Sequence, residues 1–188
     1  MVSRYHFDEK LPMMTVPIII DFSASGFGPD SYPIEVGFSG RHGEGWCSLI
    51  RPENAWLEWD VQTAKNHKIP REILNQKGNV VRYVAEQLNF FLHGQTVHCE
   101  DCGVDFVWAE RIFSAAGLVP QFKLMDLYEI ISDEQTLIWD ATKAKVIKEL
   151  CVERRRASGD ARILQLTWLR TFDAIQSVAI SRNLKKAV

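Results

Sequence analysis

The sequence predicts an α/β fold: a mixed five-stranded sheet, a three-stranded meander plus parallel strands, flanked by helices. Three observations predict it. The run Pro17-Ile18-Ile19-Ile20-Asp21 sets three β-branched residues before an acidic one, the pattern of a central strand buried on both faces. Two further β-prone segments follow closely, separated by turns rich in Gly and Pro. Beyond them, short strands alternate with apolar stripes at helix spacing.

Each element follows in chain order. Residues 1–16 are a polar leader with charges at Arg4, Asp8, Glu9 and Lys10; they read as an N-terminal extension, not as a signal peptide or anchor. Residues 17–188 form the folded domain. The first strand covers Pro17 to Asp21, and Gly26 to Tyr32 is its loop. Ile34 to Ser39 and Gly45 to Ile50 are the second and third strands, joined by the Gly40 to Gly43 turn. A short helix is expected near Trp59 to Asn66. A longer one, Asn79 to Leu92, carries the stripe Val80, Val81, Val84, Leu88 and Phe91.

Thr96 to Cys99 is a fourth strand, parallel to the first, and Val104 to Ala116 a helix with Val104, Val107, Trp108 and Ile112 at helix spacing. Phe122 to Met125 is the last strand. Helices follow near Asp126 to Ile131, Asp133 to Val152 and Asp160 to Ser181. On the last, Trp168, Leu169, Phe172, Ile175 and Ala179 form a core or oligomer face. Trp46, Trp56 and Trp59 are expected to pack rather than stack on bases. The run Glu153-Arg154-Arg155-Arg156 reads as a solvated charged loop.

With 188 residues, 46% hydrophobic and 24% charged, the chain can fill one core, and a second domain is not needed. The formal charge of −2 leaves no basic footprint for long-range, sequence-independent nucleic-acid binding. That balance still suits an acidic, metal-holding site with a small basic rim. No apolar run is long enough to span a bilayer, so a cytoplasmic location is expected.

Cys47, Cys99, Cys102 and Cys151 are too few and dispersed for a disulfide scaffold. The C-x-x-C at Cys99 and Cys102 has His98 beside it, but a structural zinc needs four ligands and no second pair appears. These read as buried or incidental thiols.

Groups at the carboxyl end of a central strand face the ligand crevice of an open α/β sheet, which makes Asp21 a site candidate. The bland alternative is that it starts a turn. Around it, Ile20-Asp21-Phe22-Ser23-Ala24-Ser25-Gly26, Ile34-Glu35-Val36-Gly37, Ser48-Leu49-Ile50-Arg51-Pro52 and Asn66-His67-Lys68-Ile69 stand in order. They are followed by Val97-His98-Cys99-Glu100-Asp101-Cys102-Gly103-Val104-Asp105, Phe122-Lys123-Leu124-Met125-Asp126-Leu127 and Arg155-Arg156-Ala157-Ser158-Gly159-Asp160-Ala161. Taken together, from about Pro17 to Asp173, these segments resemble the DEDD superfamily of 3′-5′ exonucleases, in the branch whose third motif carries a His.

The resemblance implies a ribonuclease H-like fold and a two-ion site for Mg or Mn, with Asp21, Asp105 and Asp160 as catalytic metal ligands. It implies single-stranded nucleic acid or a nucleotide as partner; a homo-oligomer is also open. Asp126 is not a ligand in that family. Two of five diagnostic positions depart from the pattern: Ser23 stands where the family has a metal-binding Glu, and Arg155 where it has the water-activating His. A hydroxyl brings no charge to a metal, and a guanidinium stays protonated near neutral pH.

The implied reading is an exonuclease-like protein that binds or acts on nucleic acid with lost or reduced catalysis. Two alternatives stay open. In one, Glu100 or Asp101, which stand in place of the family's His-Asn pair, supplies the missing ligand and the protein is an active metal-dependent 3′-5′ exonuclease. In the other, the chain is a non-catalytic interaction or scaffold protein on the same fold. Arg155 can also hold a phosphate, or pair with Asp160 or Asp21.

Overall fold

The computed structural model describes residues 15–151 and 156–186, with side chains described up to residue 181. Arg155, and with it the arrangement expected for the His position, lies outside the described residues, as does most of the N-terminal extension. Five strands, β1 (Ile18–Ala24), β2 (Pro33–Ser39), β3 (Gly45–Leu49), β4 (Thr96–Cys99) and β5 (Lys123–Asp126), form one sheet in the order β3-β2-β1-β4-β5. β1 to β3 are an antiparallel meander, and β1, β4 and β5 run parallel. This is the ribonuclease H-like mixed sheet.

β1 runs three residues past the expected end at Asp21, because β2 continues to pair with it through Ser23 opposite Glu35 and Ala24 opposite Pro33. Its pairing with β4 stops earlier, at Ile19 opposite His98. Asp21 therefore lies beyond the parallel half of the sheet while still held on its antiparallel side. Side chains alternate across the strand. Ile18, Ile20 and Phe22 join the core under α3 (Val81–Leu92) and α4 (Cys102–Ala116), whereas Ile19 joins the core under α5 (Asp133–Leu150) and α6 (Ala157–Lys186). Asp21 has the parity of Ile19.

Two short helices, α1 (Val61–His67) and α2 (Arg71–Lys77), follow the meander, and Leu74 of α2 packs with Tyr32 and Ile34 in a small separate core. α1 matches its expected place, its first turn capped by the Asp60 side chain. The sequence reading has no helix at α2, which holds one fully buried residue, Leu74, and so shows no stripe. In α3 the buried face is Val81, Val84, Ala85, Leu88 and Leu92, while Val80 and Phe91 are exposed, a correction to the expected stripe. Val107 of α4 is likewise exposed, and Phe113 takes a core place instead. Trp56 stacks on Tyr32, Trp46 on Phe38, and Trp59 meets His67 edge-on, so all three tryptophans pack.

α6 fastens the structure across the sheet. Trp168 is buried and Leu169 and Phe172 pack beside it, but Ala179 is exposed, so the apolar face ends earlier than the spacing predicts. Gln165, fully buried, donates from its amide to the carbonyls of Pro17, Ser39 and Gly40, and its Oε1 accepts from the Ser39 hydroxyl at 2.6 Å. The helix start is closer still. A Cβ on Gly37 would lie 2.5 Å from Ser158 N and 2.8 Å from its Cα, so only glycine lets this turn rest on β2. Gly37 also faces Asp21 across the β1–β2 register.

Gly37→Ala is accordingly expected to cost about 1–3 kcal/mol, the usual range for overpacking against an unyielding neighbour. Urea unfolding checks it. A change within 0.5 kcal/mol, on the scale of neutral surface substitutions, would mean that the first turn of α6 is not fixed against the sheet.

Candidate active site

A cleft of about 320 Å³ opens where β1 passes beyond β4. β1 contributes Asp21, Ser23 and Ala24; the following loop gives Phe27; α1 gives Thr63, Asn66 and His67. The β4–α4 turn supplies Glu100 and Asp101, α4 supplies Val104, Asp105 and Trp108, and α6 supplies Asp160. The structure thus brings all three predicted carboxylates, both suggested substitutes and Ser23 to one place. The loop after β1 is tied to the approach to α1: Ser25 donates to Glu58 at 2.6 Å, and Asp60 N to Ser25 O at 2.9 Å.

Burial, followed by crowding of like charge, dominates the electrostatics. Burial, reinforced by the charges of Asp105, Asp160, Glu100 and Glu35, holds the Asp21 carboxyl well above the ordinary carboxylate range. Asp105 is pushed up to about 7, first by burial and then by Asp101 and Glu100, although the Asp101 N–H and the Cys99 thiol oppose the shift. Near neutral pH, without a cation, the cleft is therefore less negative than its sequence implies. Glu100 has a partner the sequence reading did not foresee: Lys143 Nζ of α5 lies 2.5 Å from its Oε1.

His67 stands where the sequence showed only a rough match. Its Nδ1 accepts from Ile69 N at 3.0 Å, so the neutral ring carries its proton on Nε2, which is buried and unpartnered. Burial lowers its pKa and keeps the ring neutral, with Glu35 opposing and Arg156 assisting. A neutral imidazole in this tautomer offers an N–H donor, not a base. Phe27 was missed in the sequence although an aromatic directly after the loop glycine was the available signal; it lines the cleft with 76% of its surface exposed.

Arg156 corrects the solvated-loop reading of the charge run. Its guanidinium grips Glu35, 1% exposed on β2, with Nε 3.0 Å from both carboxylate oxygens, and Ala157 N donates to the same carboxylate at 3.0 Å. The pair fixes where α6 begins and hence where Asp160 stands. Cys99 and Cys102 are free thiols with sulfurs 3.1 Å apart, and Asp126 caps the turn after β5.

Among the described residues no three His, Cys, Asp or Glu side chains converge to hold an ion, and Ser23 brings a neutral hydroxyl into the cleft. Among the same residues no helix is long and apolar enough to cross a membrane.

No protein-family model and no curated protein matches the sequence. Solved structures do match the fold. A structure of exonuclease I superposes with TM-score 0.62 at 12% identity, over 85% of this chain and 43% of that one. Escherichia coli exonuclease I bound to a dA16 oligonucleotide gives 0.61 at 13% identity, over 85% and 42%. The chain shares the exonuclease I fold. An exonuclease I structure without ligand matches at 0.56 and 12% identity, over 91% of this chain and 46% of that one. This chain spans less than half the length of those exonuclease I chains.

Proposed function

We propose that the chain is an exonuclease-like protein that binds single-stranded nucleic acid in this cleft, with hydrolysis lost or much reduced. What supports the second half is Ser23, which stands among the cleft carboxylates and brings a hydroxyl where the family resemblance implies a charged metal ligand. Two metal ions clamp the attacking and leaving oxygens in phosphodiester hydrolysis, and they need carboxylates to hold them.

Binding draws support from the fold shared with exonuclease I, whose structures hold DNA oligonucleotides. The cleft itself offers two means of holding a strand. Phe27 is an exposed ring beside the acidic groups, of a kind on which a base can stack. The carboxyls of Asp21 and Asp105, with pKa raised, and Glu100, neutralised by Lys143, repel a phosphate less than free carboxylates would.

The test is a time course on short single-stranded DNA and RNA with Mg or Mn, beside an Asp21→Ala, Asp105→Ala double variant. Salt-sensitive oligonucleotide binding is expected, with no metal-dependent shortening above the double variant. Phe27→Ala should weaken that binding by about 1–3 kcal/mol, roughly fivefold or more. Shortening from the 3′ end that disappears in the double variant would overturn the reading in favour of an active nuclease with Glu100 or Asp101 as ligand. No binding at low salt would leave a scaffold role.

A further inference from the structure

β4 ends at Cys99 and α4 begins at Cys102. The turn between them holds only Glu100 and Asp101, and both line the cleft. Each end of that turn is anchored. Cys99 stands opposite Asp126 in the β4–β5 register, and the N–H groups of Val104 and Asp105 donate to Asp101 O at 3.0 and 2.8 Å. Strand and helix therefore deliver two sulfurs from either side of the acidic turn.

Those sulfurs are 3.1 Å apart, and both are free thiols. A disulfide bond is about 2.0 Å long, so roughly 1 Å of movement closes the pair, a displacement on the scale of ordinary atomic fluctuation. Cys99 is buried whereas Cys102 is partly exposed, so a reagent in solution meets Cys102 first. The buried sulfur in turn bonds toward the site, where it is a hydrogen-bond partner of the Asp105 carboxyl.

We propose that Cys99 and Cys102 are a redox modification site, which a low-molecular-weight disulfide oxidises to one intramolecular disulfide stapling the turn that carries Glu100 and Asp101. The Cys102 thiol gives its proton to solvent, and the thiolate attacks one sulfur of the small disulfide and expels the other. Cys99, losing its own proton, then attacks the Cys102 sulfur and expels the second small thiolate. Two protein thiols become one disulfide, and the small disulfide leaves as two thiols carrying the two electrons and two protons. Burial raises both protein thiols, which slows the exchange near neutral pH.

The staple reaches the cleft in two ways. It restrains Glu100 and Asp101, and it removes the S–H through which Cys99 meets Asp105. The modification itself goes beyond the exonuclease-like reading; its effect on oligonucleotide binding rests on that reading.

The full chain is refolded from urea at about pH 8.5, once in excess glutathione disulfide and once in excess reduced glutathione. Each native sample is then equilibrated in graded glutathione ratios, its free thiols are alkylated, and its peptides are mapped by mass. The Cys99–Cys102 disulfide is expected from both starting points under oxidising ratios and is lost under reducing ones. Cys99→Ser should retain a glutathione adduct on Cys102, whereas Cys102→Ser should retain none on the buried Cys99. Two alkylatable thiols after refolding in excess glutathione disulfide would overturn the proposal, as would bonds from this pair to the exposed Cys47 or Cys151. Oxidised and reduced protein should then differ in Kd for a short oligonucleotide by about fivefold or more, the low end of usual coupling between sites. Equal affinities with the disulfide formed would overturn its link to the cleft. No binding by either form would count against the exonuclease-like reading and leave the disulfide result in place.

Discussion

At pH 7.5 in metal-free buffer, Asp105→Asn is expected to stabilise the protein by up to the order of 4 kcal/mol. A carboxyl that titrates at about 7 in the folded chain, against 3.8 when unperturbed, destabilises its ionised folded form by about that amount. The sign follows from proton counts. Between about pH 4 and pH 7 the folded chain keeps a proton on Asp105 that the unfolded chain has lost, so stability falls as pH rises through this window and levels off above it.

Asparagine copies the shape without the charge, and its amide oxygen can still accept from Asp101 N, 3.4 Å from the present carboxylate. Urea unfolding at intervals from pH 5 to pH 8 checks the result. The variant and wild type should converge toward pH 5 and separate toward pH 8, while Asp21, raised in the same direction, leaves both with some residual slope. Parallel pH curves would show that Asp105 titrates normally. A site that destabilises its own fold is the usual mark of groups placed for binding or chemistry rather than for packing.

The parts of the fold that could be read from sequence were those whose physics is local. Ile18 to Ile20 announce a central strand because β-branched residues fill both faces of a sheet, and the Gly, Pro and Ser clusters mark the turns of the meander. α2 escaped because seven residues with one buried side chain carry no period. Val80 and Phe91 were misplaced because apolar residues one position off a stripe fit the spacing nearly as well as Ala85 and Leu92, which the helix buries.

At the site the division is the same. Asp21, Asp105 and Asp160 were named from motifs, and the structure gathers them. Lys143 and Arg156 were not recognised, since their partners Glu100 and Glu35 lie 43 and 121 residues away and a charge pair at that separation leaves no pattern in the chain. The Arg156 position even read as a solvated face, because a run of charges normally is one.

That misread arginine carries the other large effect. Arg156→Leu is expected to cost about 3–5 kcal/mol, because it strands a carboxylate that is 1% exposed, leaving Glu35 only the Ala157 N–H of the contacts described. Removing the other partner is milder. In Glu35→Gln the arginine, with 38% of its side chain exposed, can turn to water, so a loss of about 1–2 kcal/mol is expected. The double variant should recover part of the Arg156→Leu loss, and a double-mutant cycle in urea measures the coupling.

Additive losses would mean that Glu35 finds water once the arginine is gone, and that the start of α6 is loosely held. Strong coupling ties stability to the site. Asp160 N bonds to Arg156 O at 2.9 Å in the first turn of α6, so whatever fixes Arg156 to β2 also fixes Asp160 beside Asp21. The cleft then depends on an ion pair outside it, and Arg156→Leu should weaken oligonucleotide binding although the arginine does not line the cleft.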